Sequence, residues 1–221
     1  MLRWLIVALV IVAGALGWQR VVGLASGRPQ AAPATVRPVA DLRPQEPWDG
    51  ALDVPHIRQE TNLCVPTSAA MVLAFYGDPQ LPRRLKALAA DRPYVAAAFS
   101  DFTITRFKDL IRGLKTLGYD WQEVTYPVTH EGFLRGLSRM EIETRGGHPV
   151  LVDISLNARE SHTFVVAGVD RQNRMILGVD PNTPAPGRHR MTFDALEASW
   201  NESANGLDFR GMVVTSPKPT T

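Results

Sequence analysis

The sequence predicts an α+β fold, and three observations carry that expectation. Helical periodicity of apolar residues dominates from residue 66 to about 140, and β-rich apolar runs dominate after residue 150. Helices followed by strands also differ from the alternating pattern of a parallel α/β sheet. The composition supports a folded domain: 221 residues, 45% hydrophobic and 21% charged, which excludes a disordered chain or a low-complexity fibre. A single Cys can neither close an intrachain disulfide nor build a thiolate zinc cluster, so the fold stands on its core.

The chain begins with Met1-Leu2-Arg3 and an apolar run from Trp4 to Trp18, 15 residues long. A positive end followed by such a block is expected to act as an export signal, or as a membrane anchor if the apolar stretch to Ala25 joins it. Residues 26–48 contain five prolines and no periodicity, the texture of a spacer. The expected organisation is therefore 1–25 signal peptide or anchor, 26–48 Pro-rich linker, 49–215 one domain, and 216–221 a short tail. The formal charge is +2, but its excess sits in the leader and spacer, and residues 48–221 carry 19 basic and 20 acidic residues. No nucleic-acid partner is expected from that balance.

Within the domain, Ala69, Val72, Phe75 and Tyr76 mark a first helix beginning near Pro66 and stopped by Gly77-Asp78-Pro79. Pro82 to Ala90 reads as a short second helix. Phe107, Leu110, Ile111, Leu114 and Leu117 form a stripe closed by Gly118. Thr129 reads as the N-cap of a fourth helix that buries Phe133, Leu134, Leu137 and Met140. Strands are expected at 150–154, 162–169 and 175–179, the last two joined as a hairpin by Asp170 to Arg174. Thr192 to Trp200 reads as one or two helical turns, and 211–215 as a closing strand. Trp121, Tyr126 and Trp200 read as core or cleft walls.

The lone Cys64 lies just ahead of Pro66, so it falls at or just before a helix N-terminus. Unpaired N–H groups and the positive end of the helix dipole favour a thiolate there. His162 opens the apolar strand of the hairpin and is the best-placed base. If Val169 faces Met175, Asp180 lies opposite Phe164, and His162 and Asp180 become diagonal neighbours on one face. A carboxylate there would fix the imidazole's orientation. A one-residue slip would separate them. Gln59, five residues before Cys64, is a candidate donor to an oxyanion. Taken singly, His162 also suits a satisfied strand-end histidine, Asp180 a turn residue and Gln59 a surface amide. The other histidines, His56, His130, His148 and His189, lack metal-ligand spacing, and no metal or cofactor is expected.

The order Val54-Pro55-His56-Ile57-Arg58-Gln59, then Cys64-x-Pro66 opening a helix, then a His-led strand and Asp180-Pro181, resembles the bacteriocin leader-peptidase family and its wider relatives (peptidase family C thirty-nine-like). The resemblance spans roughly Leu52 to Trp200. It implies a papain-like fold, with the nucleophile on a helix packed on an antiparallel sheet. It also implies Cys64 as nucleophile, His162 as base, Asp180 as its orienting partner and Gln59 as oxyanion donor. Relatives often carry Gly directly after the Cys, where this chain has Val65. The leader-peptidase members are commonly fused to exporter subunits, and no phosphate loop or multi-span region occurs here, so trimming of double-glycine leaders does not carry over. The expected function is an exported cysteine peptidase hydrolysing peptide bonds of a peptide or protein substrate, outside the cytoplasm and with a possible membrane tether through residues 4–25. Two other classes stay open: a silent papain-like binding or maturation module, and a cell-wall amidase or transamidase on a related scaffold.

Overall fold

Both faces of one antiparallel sheet are covered by helices, and that arrangement explains why the central strands are continuous apolar runs rather than alternating ones. The computed structural model describes residues 50–60, 62–90, 104–201 and 208–219. The chain divides into two units, Met1–Arg43 and Pro44–Thr221. The first, together with the expected leader or anchor and the spacer, lies outside the described residues. Among the described residues no helix is long and apolar enough to cross a membrane.

The described residues form five helices and six strands: α1 (Cys64–Phe75), α2 (Pro82–Ala89), α3 (Phe107–Lys115), β1 (Gln122–Tyr126), α4 (His130–Arg145), β2 (Val150–Ser155), β3 (Ser161–Asp170), β4 (Met175–Val179), β5 (Arg188–Thr192), α5 (Phe193–Ser199) and β6 (Arg210–Val214). The sheet order is β1-β6-β2-β3-β4-β5. Leu151, Val165, Ala167, Val179 and Val213 pack with α1, α2 and α3. Val150, Val152, Phe164, Val166, Ile176 and Met212 pack with α4 and α5 instead. Alternate residues of each strand thus feed two separate cores, as the two-residue repeat of a strand requires.

The four expected helices are present, with two local differences. Helix α1 begins at Cys64, two residues before Pro66, so the proline is its third residue and not its first. Its missing N–H is still harmless there, because the first-turn amides have no intrahelical acceptor. In α4, Thr129 is the N-cap, its Oγ1 accepting from Gly132 N at 3.0 Å. Leu134 of that helix is exposed, unlike Phe133, Leu137 and Met140. The 192–200 segment is the helix α5 with Thr192 as N-cap, Oγ1 accepting from Ala195 N at 3.1 Å. Trp121 and Trp200 lie in the core, while Tyr126 is half-buried. The tail is tied down at two points: Ser216 O accepts from Trp121 Nε1, and Lys218 pairs with Asp78.

The β3–β4 hairpin holds the feature that matters for function. Next to the turn, Asp170 faces Met175 and Val169 faces Ile176, one residue out of the expected register. Between Val166 and Gly168 the ladder shifts by a bulge, and beyond it Val166 faces Gly178 and Val165 faces Val179. The bulge restores the expected register at the far end of the hairpin, which is where His162 and Asp180 lie. The carbonyl of Ala167, the extra residue, accepts from Leu52 N at 2.9 Å. The strap of chain that precedes α1 therefore docks on the bulge, an example of a bulge re-aiming side chains near a site.

Candidate active site

Three separate pieces of chain converge at one end of the hairpin. Cys64 is the first residue of α1, half-buried, with Leu63 as an N-cap that makes no side-chain cap bond. Asn62 turns the chain into the helix with a positive φ of 59°, a conformation asparagine tolerates better than most residues. Ser68, one turn on, donates from Oγ to Thr163 O at 3.1 Å and so fastens α1 to β3 beside His162.

His162 is 7% exposed on β3, and Asp180 is 9% exposed just after β4. Their contact is His162 Nε2 to Asp180 Oδ1 at 2.7 Å. That bond uses one ring nitrogen and leaves Nδ1, and the Cys64 thiol lies close enough to be among the groups that raise the ring. Burial alone would push the imidazole down. The hydrogen bonds to Asp180 and Cys64 and the charges of both prevail, and hold His162 up at about 9. Burial raises Asp180, yet the bonds from His162 and from Asn182 N (2.7 Å) leave its carboxyl below its ordinary value.

Gln59 enters through its backbone, its N–H donating to Pro181 O at 2.8 Å, directly after Asp180. Its side-chain Oε1 is buried without a protein partner. The structure thus brings Cys64, His162 and Asp180 together at one end of the hairpin and anchors Gln59 to the same turn. Beside Cys64 opens a cavity of about 420 Å³, walled by Val65, Pro66, Ile104, Phe107 and Phe209 with Glu123 among its polar groups. Val65, where relatives often have Gly, is part of that wall. Burial pushes the Glu123 carboxyl up, partly offset by Lys108. None of these wall residues except Val65 stood out as part of a site in the sequence, where Pro66 and Phe107 read only as helix residues. Ile104, Phe107 and Phe209 come from segments whose meeting is purely tertiary.

Comparison with known proteins bears on this geometry. The fold is similar to the peptidase domain of Streptococcus ComA, described as a bi-functional ABC transporter involved in a quorum sensing pathway. The two are 19% identical with a TM-score of 0.54, over 75% of this chain and 99% of that one. The peptidase domain of Streptococcus mutans ComA is 17% identical, over 74% of this chain and 99% of that one, with a TM-score of 0.44. Its complex with a small molecule inhibitor gives 16% identity over 74% of this chain and 98% of that one, with a TM-score of 0.44. The first of these likenesses supports the α+β, papain-like architecture. No curated protein matches the chain. The model of the Peptidase_C39 like family matches residues 51–207, which include Cys64, His162, Asp180 and Gln59. The chain belongs to the Peptidase_C39 like family.

Proposed function

We propose that the protein is a cysteine peptidase that cleaves peptide bonds through Cys64, His162 and Asp180. The carrying observation is the buried 2.7 Å bond between His162 Nε2 and Asp180 Oδ1, with Cys64 among the groups that raise the ring. In this reading the thiol proton has already moved to His162, and the Cys64 sulfur attacks the carbonyl carbon of a peptide. The imidazolium returns that proton to the departing amine as the C–N bond breaks, leaving a thioester. Water, deprotonated by His162, then attacks the thioester and releases the acid and the thiol. Asp180 keeps the ring oriented and stabilises its charged form. The apolar cavity beside the sulfur is of the size and character that accept side chains of a peptide. The apolar run after Arg3 supports export of the domain.

The test is cleavage of an unbiased peptide library by the purified protein beside its Cys64→Ala variant. Cys64-dependent cuts support the peptidase. Intact peptides together with Cys64-dependent cutting of purified cell wall would instead favour the amidase, and loss of neither substrate a silent module.

Two further outcomes are expected on a cleaved peptide. Gln59→Ala should lower kcat by about 10²–10³-fold with little change in KM, the loss typical of one oxyanion donor. Loss confined to KM would assign the amide to ground-state binding. For pH, the imidazolium is the form that protonates the leaving amine, and His162 keeps its proton up to about 9. The rate should therefore hold across neutral pH and fall as the pH rises through about 9. An alkaline limb near the ordinary histidine value would show that Asp180 and Cys64 do not hold the charge.

A further inference from the structure

One half-buried histidine takes no part in that chemistry. His56 lies on the strap three residues before Gln59, its Nε2 buried without a hydrogen-bond partner. Its ring sits against Gly187: a Cβ at that glycine would overlap the ring, with Cγ and Nε2 each 2.7 Å away. Gly187 closes the turn that begins at Asp180. Asp180 N donates to Gly187 O at 2.8 Å, and Gly187 N donates to Pro184 O at 2.8 Å. Asn182 N and Thr183 Oγ1 then bond Asp180 itself. The strap is fixed at both ends, by Leu52 on the Ala167 bulge and by Gln59 on Pro181.

We infer that His56 is a positioning residue: its ring, wedged on Gly187, sets the 180–187 turn and thereby the aim of the Asp180 carboxylate at His162. The wedge works through shape, since its outer nitrogen has no partner to give it another role. Glycine at 187 is needed twice, for a φ of +71° and for the room the ring takes. The same strap carries Gln59, so one element sets both the acid and the amide. Burial keeps the His56 ring below its ordinary value against the pull of Asp180, with Arg58 acting in the same direction as burial. At neutral pH it is therefore a neutral spacer.

The inference rests on the reading of His162 and Asp180 as a working pair, and its test separates the two. The His162 ring is titrated by NMR in the whole protein, with no substrate present, and kcat and KM are measured on a cleaved peptide. The groups that face His162 are Asp180 and Cys64, and His189 and His56 lie near Asp180. All except His56 stay constant across the His56 variants. In His56→Ala the His162 titration should move down from about 9 towards the ordinary value. The alkaline limb should follow it, and kcat should fall by about 10²-fold with KM little changed, the cost of a small misplacement. His56→Phe keeps the wedge and should restore both readouts to within a few-fold. Gly187→Ala, which crowds the same contact from the other side, should reproduce the alanine effect. A His56→Ala protein with lowered Tm but an unmoved His162 titration would overturn the inference, as would a Phe variant no better than Ala. If the variants move the His162 titration as described while the wild type cuts no peptide, the positioning role stands and the peptidase reading falls.

Discussion

Replacing Cys64 by alanine is expected to lower kcat on a cleaved peptide by about 10⁶-fold, with the fold intact. His162→Ala should cost a similar factor, and the double variant should cost little more than either single one. Residues that act as one unit lose their joint effect once any member is gone, so the losses do not add. The geometry favours that outcome, because His162 bonds Asp180 and interacts with Cys64, so the middle member joins both ends. Folding should survive the first change, since Cys64 is only half-buried and packs on the rim of its cluster. Circular dichroism and an unchanged denaturant midpoint would establish that. A second readout needs no substrate. The Cys64 bond and charge are among the causes that raise His162, so its titration should move down in Cys64→Ala. Turnover above about one per cent of wild type in either single variant would remove that residue from the chemistry.

The same pairing affects stability with a definite sign. A ring held up at about 9 in the folded chain and titrating at its ordinary 6.5 when unfolded stabilises fully below about pH 6.5. That contribution declines through neutral pH and is gone above about 9. The site is thus most secure on the acid side of neutrality, until protonation of Asp180 reverses the gain.

What the sequence shows and what it hides have physical reasons here. Helices α1 to α4 and strands β2, β3, β4 and β6 are legible because their apolar residues recur with the period of the element or fill a buried run. The strands β1 and β5 are not, because they are the two edges of the sheet. Residues Gln122–Tyr126 and Arg188–Thr192 contain no fully buried side chain, so there is no apolar pattern to read. Their remaining signal, Val124, Thr125 and Tyr126 in β1, is only a propensity. The hairpin is the instructive case. Pairing counted outward from the Val169–Met175 end gives the correct partner for Val165 only because a bulge absorbs a one-residue error between them. A bulge is set by tertiary demand, here the strap that takes the Ala167 carbonyl, and its one local sign is Gly168, where a Cβ would crowd the strap at Gly50 and Ala51. Cys64, His162 and Asp180 are legible as chemical types at element ends. The wedge of His56 on Gly187 is not, since 131 residues of sequence separate two groups whose meaning lies only in their contact.

The largest effect on stability is expected far from Cys64, at Trp200. Its side chain is fully buried between α4, α5 and β6, and Nε1 donates to Gly211 O at 2.8 Å. Tyr126 and Phe133 meet its ring edge-on, with centroids 6.0 and 6.5 Å away. Its own carbonyl accepts from Arg210 Nη1, and that guanidinium, on a residue 3% exposed, lies over the Trp200 and Phe133 rings. Gly136 on α4 is there because any Cβ would overlap the indole. Trp200→Ala therefore opens a cavity that α4 cannot close, at about 3–5 kcal/mol. It also strips aromatic cover from a buried charge. For a domain of this size that loss corresponds to a fall in Tm of roughly 6–20 °C, with the denaturant slope unchanged. Trp200→Phe keeps most of the ring and leaves one carbonyl unpaired, so about 1–3 kcal/mol should be lost. Gly136→Ala attacks the same contact by overpacking and should cost a similar 1–3 kcal/mol. Combining Gly136→Ala with Trp200→Ala should then cost less than the sum, because the new methyl enters the vacated space. Strict additivity in that cycle, or a Tm within 3 °C of wild type for Trp200→Ala, would mean the indole does not pin α4 to the sheet.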